Sequence, residues 1–286
     1  MFLAWRRSAK RPAGRAEPYI SNAKSEAGGI DLARMNWTRE ELIVAFNLYC
    51  KLPFGRLHRG NPEIIALANA IGRTPSAVAW KLVNFASIDP AITKTGRVGA
   101  SHGGKLDAEV YSDFTQDWER LSYESERLLS QLTGRAIEPI VDAEAVEVFP
   151  EGREREAVVQ VRVNQSFFRA SVLAAYDLRC CISGLAVPEL LNASHIAPWA
   201  ADKENRVNPR NGLCLNALLD RAFDRGLLTV LPDLRVKVSA VLKNKEAEET
   251  TQDLLLCYEG ASVRLPRRFE PAPDLLRYHN SVVFKG

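Results

Sequence analysis

Four histidines occur in the chain, His58, His102, His195 and His279. His195 stands in the run Asn192-Ala193-Ser194-His195-Ile196-Ala197-Pro198-Trp199, and sixteen residues later comes Asn211-Gly212-Leu213. A helix expected from about Leu215 carries Asp220 and Asp224. Their spacing of four puts both carboxylates on one helical face. Solvated and unpaired, two such charges repel by about 0.2–0.5 kcal/mol, and a bound divalent cation turns the repulsion into a site. Taken alone, the pair reads as two solvated surface acids paired with Arg221 or Arg225. The combination with His195 points further. Phosphodiester hydrolysis needs a base for water, a positive centre on the phosphate and stabilisation of the leaving oxygen. An imidazole titrating near neutrality suits the first task, and a hard cation held by carboxylates suits the others.

The run ASHIAPWAADKENRVNPRNGLCLNALLDRAFDRGLLTV resembles the core of the HNH (ββα-metal) endonucleases. The likeness is to the branch with a Ser-His-Ile strand and an Asn-Gly-Leu…Asp…Phe-Asp-x-Gly helix, found among bacterial restriction-type and other defence endonucleases. It extends more loosely back through QSFFRASVLAAYDLRCCISG. The resemblance implies a ββα hairpin and helix clasping one metal, and DNA as the partner. His195 matches the general base that activates water, and Asn211 the residue that holds the loop and so orients that base. Asp220 takes the place of the final His as a metal ligand, and Asp224 that of an additional ligand one helical turn later. Ser194 falls where many relatives carry an Asp or His ligand, so a hydroxyl or a water is left for that position. Oxygen donors imply Mg²⁺ or Mn²⁺ rather than Zn²⁺. The paired-cysteine zinc knuckle of many HNH proteins is absent, which leaves Trp199, Leu213, Leu215 and Phe223 to hold the core by packing.

The elements that must position these residues read as an α+β protein. Residues 1–34 are basic and lack periodicity, which predicts a disordered tail ahead of Met35. Thr38 and Glu41 form a capping box before Leu42, Ala45, Phe46 and Tyr49 at helical spacing. Asn61-Pro62 opens a second helix, Gly72 breaks it, and Thr74-Pro75 starts a third. This is the pattern of a helix-turn-helix, in which the third helix presents Ser76, Trp80, Lys81 and Asn84, with Arg73 at its start, to DNA. A three-helix packing unit with no groove contact fits the same spacing. Residues 91–106 read as a loop, 107–133 as one further helix, and 134–156 as a linker. A strand at 157–163, a helix capped by Asn164, two strands around Pro232-Asp233 and a helix near 243–249 complete the expectation. Arg162, Arg169, Arg221 and Arg225 flank the core and are candidates to grip phosphates. His279 is a candidate support for the site, and His58 and His102 read as loop residues.

Composition sets the outer limits. With 46% hydrophobic and 26% charged residues in 286, the chain has apolar sequence for substantial cores and length for two domains, a helical one over 35–133 and a nuclease one over 157–286. The net charge of +3 is compatible with a polyanionic partner without indicating one. The five cysteines include no Cys-x-x-Cys pair, which argues against a disulfide framework and for reduced thiols in a cytoplasmic protein. No apolar run is long enough to span a membrane. A homodimer is open. So are two other functions: a helix-turn-helix DNA-binding protein with a degenerate nuclease core, and a nuclease gated by a partner or signal.

Overall fold

The computed structural model describes residues 36–93, 104–134, 153–243 and 249–286. The helical half starts where the capping residues place it. The Thr38 hydroxyl accepts from the Glu41 N–H at 3.2 Å, and the Glu41 carboxylate accepts from the Thr38 N–H at 2.8 Å. That box opens α1 (Arg39–Lys51). Asn61 caps α2 (Pro62–Ala70), where Pro62 sits in the first turn and no N–H is needed. Gly72 takes the left-handed corner at φ +69°, and Thr74 caps α3 (Pro75–Ile88). α2 and α3 pack against each other. A short α4 (Pro90–Thr93) follows. The buried faces meet around Phe46, whose ring neighbours include Tyr49, Phe85, Tyr111 and Phe114.

Three expectations are corrected here. The single helix over 107–133 is two, α5 (Lys105–Gln116) and α6 (Trp118–Thr133). Asp117 separates them. Its backbone leaves helical geometry at φ −145°, and its side chain caps α6 by accepting from the Arg120 N–H at 3.0 Å. The strand expected at 157–163 is instead part of α7 (Arg153–Ala175). Val163, Phe167, Phe168, Val172 and Ala175 are buried at helical spacing along it. Burial of that stripe outweighs the β-leaning composition of its first turns. Asn164, expected as a cap, lies in the helix interior, fully buried, and accepts from the Ser122 hydroxyl at 2.7 Å.

The C-terminal part supplies a hairpin and a helix in succession. β1 (Leu191–His195) pairs antiparallel with β2 (Gly212–Asn216), in a register that sets Leu191 opposite Asn216 and His195 opposite Gly212. Asn216 ends β2 and caps α8 (Ala217–Asp224), accepting from the Leu219 N–H at 3.0 Å. The order is ββα. A second hairpin, β3 (Leu228–Val230) with β4 (Val236–Val238), turns at Pro232-Asp233 as expected. α9 (Ala240–Lys243) and α10 (Glu249–Leu254) flank residues 244–248, which lie outside the described residues together with most of the helix expected there. Beyond the elements expected from the sequence, the C-terminal stretch holds α11 (Pro273–Tyr278), which continues as a π-helical turn over His279–Val283. The tail 1–34, Met35 and most of the expected linker, 135–152, also lie outside the described residues.

Leu32–Gly286 form one compact unit. α7 packs on α1 and α6 and also on β1 and β2, so one apolar core runs through both halves. Arg268, 1% exposed, reaches from the C-terminal half to the end of α1. Its guanidinium donates to the carbonyls of Cys50 and Leu52 and lies over the Tyr49 ring, 4.4 Å from its centroid. Among the described residues no helix is long and apolar enough to cross a membrane. Cys50, Cys180, Cys181 and Cys214 are buried free thiols, while Cys257 is exposed.

Candidate active site

β1, α7 and α8 surround a cavity of about 620 Å³. His195, at the end of β1, lines it, and three contacts fix the ring. Its face stacks on Phe168 of α7, with centroids 3.8 Å apart and planes 10° from parallel. Trp199 meets it edge-on at 5.5 Å. Nε2 lies 2.9 Å from the Arg206 carbonyl oxygen. A carbonyl only accepts, so Nε2 carries the proton, and in the neutral ring Nδ1 is the free lone pair. Burial lowers the pKa of His195, against the opposing pull of the Arg206 carbonyl and the Asp220 charge. The ring is therefore a neutral base at physiological pH, oriented through its other nitrogen.

The close stack of Phe168 on His195 explains the glycine of the Asn-Gly-Leu motif. A Cβ on Gly212 would lie 2.3 Å from Cγ2 of Val172 and 3.0 Å from Cζ of Phe168. Only glycine lets α7 come this near β2. The motif asparagine fixes the loop between the strands. Asn211 is fully buried, accepts from the Ala197 N–H at 2.8 Å and donates to the carbonyls of Ala197 and Asn205 at 3.1 and 3.2 Å. Both ends of the 197–205 loop are thereby tied to one side chain.

The acids face the same cavity. Asp220 and Asp224 both line it, as do Ser194 and Arg169. Burial and the adjacent charge of Asp220 raise the pKa of Asp224, while Arg221 and Arg225 pull the other way. Ser194 is 2% exposed, and its Oγ is buried with no hydrogen-bond partner among the described residues. Two carboxylates that repel each other at a cavity wall, with an unsatisfied hydroxyl in the same lining, form an oxygen donor set that fits a hard divalent cation. Among the described residues no three His, Cys, Asp or Glu side chains converge as a metal cluster. Such a cation would be held by two carboxylates and completed by water and phosphate oxygens, the common arrangement for Mg²⁺.

Two residues outside the motif reading take part. Asn192 on β1 donates to Asp220 Oδ2 at 2.8 Å and accepts a long contact from Arg169 at 3.5 Å. Nothing in the sequence except its place three residues before His195 could have marked it. His279, 1% exposed, also lines the cavity. It stacks on Phe223 of α8 at 3.7 Å and lies 3.3 Å from the Phe223 carbonyl through Nε2. Nε2 therefore donates, and Nδ1 accepts from the Thr229 hydroxyl at 2.7 Å. The π-helical turn presses on the end of α8 as well. Gly226 has φ +68°, and a Cβ there would lie 2.1 Å from the Val283 carbonyl oxygen. The glycine of Phe-Asp-x-Gly is thus required twice, for its backbone and for this approach.

The remaining candidates are dispersed. Arg221, on α8, and Arg225, its C-cap residue, are both exposed. Arg162 is on α7 and does not line the cavity. In the helical half, Arg73 is buried, paired with Glu41 at 2.8 Å and stacked on Trp37. Lys81 is bound by both oxygens of Asp107 at 2.8 and 2.9 Å. Both cations hold the helices together. Trp80 is 63% exposed and Asn84 half-buried. His58 is exposed, and His102 lies outside the described residues. Of the residues expected to hold the core, Leu213, Leu215 and Phe223 are fully buried, and Trp199 is half-buried beside His195.

Residues 180–231 match the model of the HNH_2 family, HNH endonuclease. The matched span holds β1, the loop, β2, α8 and β3, and supports nuclease activity for this part of the chain. Among curated proteins, none matches the chain.

Proposed function

We propose that this protein is a divalent-metal-dependent DNA endonuclease that hydrolyses phosphodiester bonds in the cavity between β1, α7 and α8. The observation that carries the reading is the hydrogen bond from His195 Nε2 to the Arg206 carbonyl. It leaves Nδ1 as an unprotonated lone pair on a side chain that shares its cavity with Asp220 and Asp224. His195 Nδ1 takes the proton of the attacking water. Asn211 holds the loop that carries the Arg206 carbonyl, and so holds the imidazole indirectly. Asp220, oriented by Asn192, and Asp224 would hold the cation, with the Ser194 hydroxyl or a water beside them. Mg²⁺ or Mn²⁺ bound there would supply positive charge for the scissile phosphate and the leaving 3′ oxygen. Arg169 in the cavity wall and Arg221 and Arg225 on α8 grip flanking phosphates, with Arg162 further along α7. Trp80 and Asn84 offer the exposed part of α3 to the duplex, while Arg73 and Lys81 brace it. A restriction or defence role in the cytoplasm follows from the resemblance of the core motif and from the free, mostly buried thiols.

The test is cleavage of modified and unmodified plasmid by the purified full chain, stripped with chelator and resupplied with one divalent metal at a time. Mg²⁺ or Mn²⁺ is expected to restore cutting and Zn²⁺ to do so poorly; better support by Zn²⁺ overturns the ligand assignment. His195→Ala is expected to lower the rate by roughly 10²–10⁴-fold with DNA binding retained. Cutting by that variant at near the wild-type rate ends the mechanism.

A further inference from the structure

The carbonyl that orients His195 belongs to Arg206, and the side chain of Arg206 is held from the other half of the protein. Its guanidinium forms a two-pronged bond with Glu119, Nε donating to Oε2 at 3.0 Å and Nη2 to Oε1. Both side chains are about three-quarters buried, at 24% and 30% exposure. Glu119 is in the first turn of α6, next to Trp118. Trp118 is itself wedged against Phe167 of α7 and Phe269, with centroids 6.0 and 5.5 Å away. The carboxylate is therefore presented from a fixed point. The same guanidinium lies 5.3 Å from the centroid of Trp199, whose ring meets His195 edge-on. Both the main chain and the side chain of Arg206 thus bear on the imidazole, one through a hydrogen bond and one through a ring.

Asn211 ties the loop at Ala197 and Asn205, but it makes no bond to residue 206. The peptide that sets the tautomer of His195 lies one residue beyond that anchor. Residue 206 lies in a turn closed by the Asn208 N–H on the Asn205 carbonyl at 3.1 Å, and its own side chain is fixed by the fork to Glu119.

We propose that Glu119 is a positioning residue for the hydrolytic reaction, acting through Arg206 to hold the His195 imidazole in its base-competent orientation. This rests on the nuclease reading, and it makes the helical half a working part of the active site. A plain surface ion pair would contribute little to stability and nothing to turnover.

The experiment is a double-mutant cycle in the full chain with Glu119→Gln, Arg206→Met and both together. Plasmid cleavage in Mn²⁺ is resolved into kcat and KM, alongside thermal melts and amide exchange over residues 203–207. Glu119→Gln is expected to lower kcat about tenfold with KM within twofold and Tm unchanged. The double variant is expected to be no slower than the slower single variant, because both changes break one link. Exchange over 203–207 is expected to quicken in Glu119→Gln while that of α6 stays the same. A kcat within twofold of wild type, or losses that multiply in the double variant, overturns the proposal. If the wild type cuts no DNA with any metal, the nuclease reading fails by itself. Amide exchange then still decides the coupling: unchanged exchange over 203–207 overturns it, and faster exchange supports it.

Discussion

At the scale of single residues, the two buried histidines do opposite work with the same chemistry. Each donates from Nε2 to a carbonyl, but His195 leaves Nδ1 free beside a cavity, whereas His279 fills it with the Thr229 hydroxyl. His279 is thereby a neutral ring with no room for a second proton. Burial lowers its pKa to about 4, below the roughly 6.5 of an unfolded chain. Its contribution to stability is thus complete above about pH 6.5 and is lost as pH falls through the folded value. Across that window the loss is about 3 kcal/mol. Urea melts at pH 7.5 and 4.5 check this. The wild type is expected to lose more stability on acidification than His279→Gln, and equal losses would refute the assignment. His195 was legible in the sequence because its neighbours form a motif with Asn211, Asp220 and Asp224. His279 was singled out as a candidate support, but its role could not be read, since its partners Phe223 and Thr229 lie 56 and 50 residues away and no local spacing records them. Asn192 and Glu119 escaped for the same reason.

Elements were legible where a local signal decides them and illegible where packing does. The capping box at Thr38, the Asn61-Pro62 start, the left-handed corner at Gly72 and the ββα order are all written in short stretches of chain. Asp117 carried a cap signal too, but Val110, Phe114, Trp118 and Leu121 keep helical spacing across it, and that continuity hid the break. In α7 the alternation of Val159, Val161 and Val163 imitates a strand, whereas the residues that enter the core begin at Val163 and follow helical spacing. The contact of α7 with β2 is tight enough to test. Gly212→Ala is expected to cost about 1–3 kcal/mol, because the new methyl meets Val172. It is also expected to lower turnover more than the melt accounts for, since Phe168 carries the face of His195. Adding Val172→Ala makes room, and the double variant is expected to recover most of the lost Tm. Thermal melts with cleavage rates on the same samples decide it; a Gly212→Ala protein as stable and active as wild type would show that α7 yields freely.

At the scale of the whole molecule, the helical and nuclease halves share one core, with α7 between them and Arg268 fastened to the end of α1. Arg268→Met keeps most of the volume and removes the bonds to the Cys50 and Leu52 carbonyls. It is expected to destabilise the protein by about 3 kcal/mol, since breaking a buried charged contact strands its partners. Far-UV circular dichroism and tryptophan fluorescence are expected to report one coincident transition at lower temperature; separate transitions would show that the halves unfold on their own. The shared helix has a practical corollary. The peptide bonds between 135 and 152 join two pieces that already adhere through α7, because residues 153–175 seal an apolar face that 36–134 would otherwise show to water. Expressed as separate polypeptides, 36–134 and 153–286 should find each other and co-elute, and a protease nick in that stretch should leave a two-piece particle that migrates as the intact chain does.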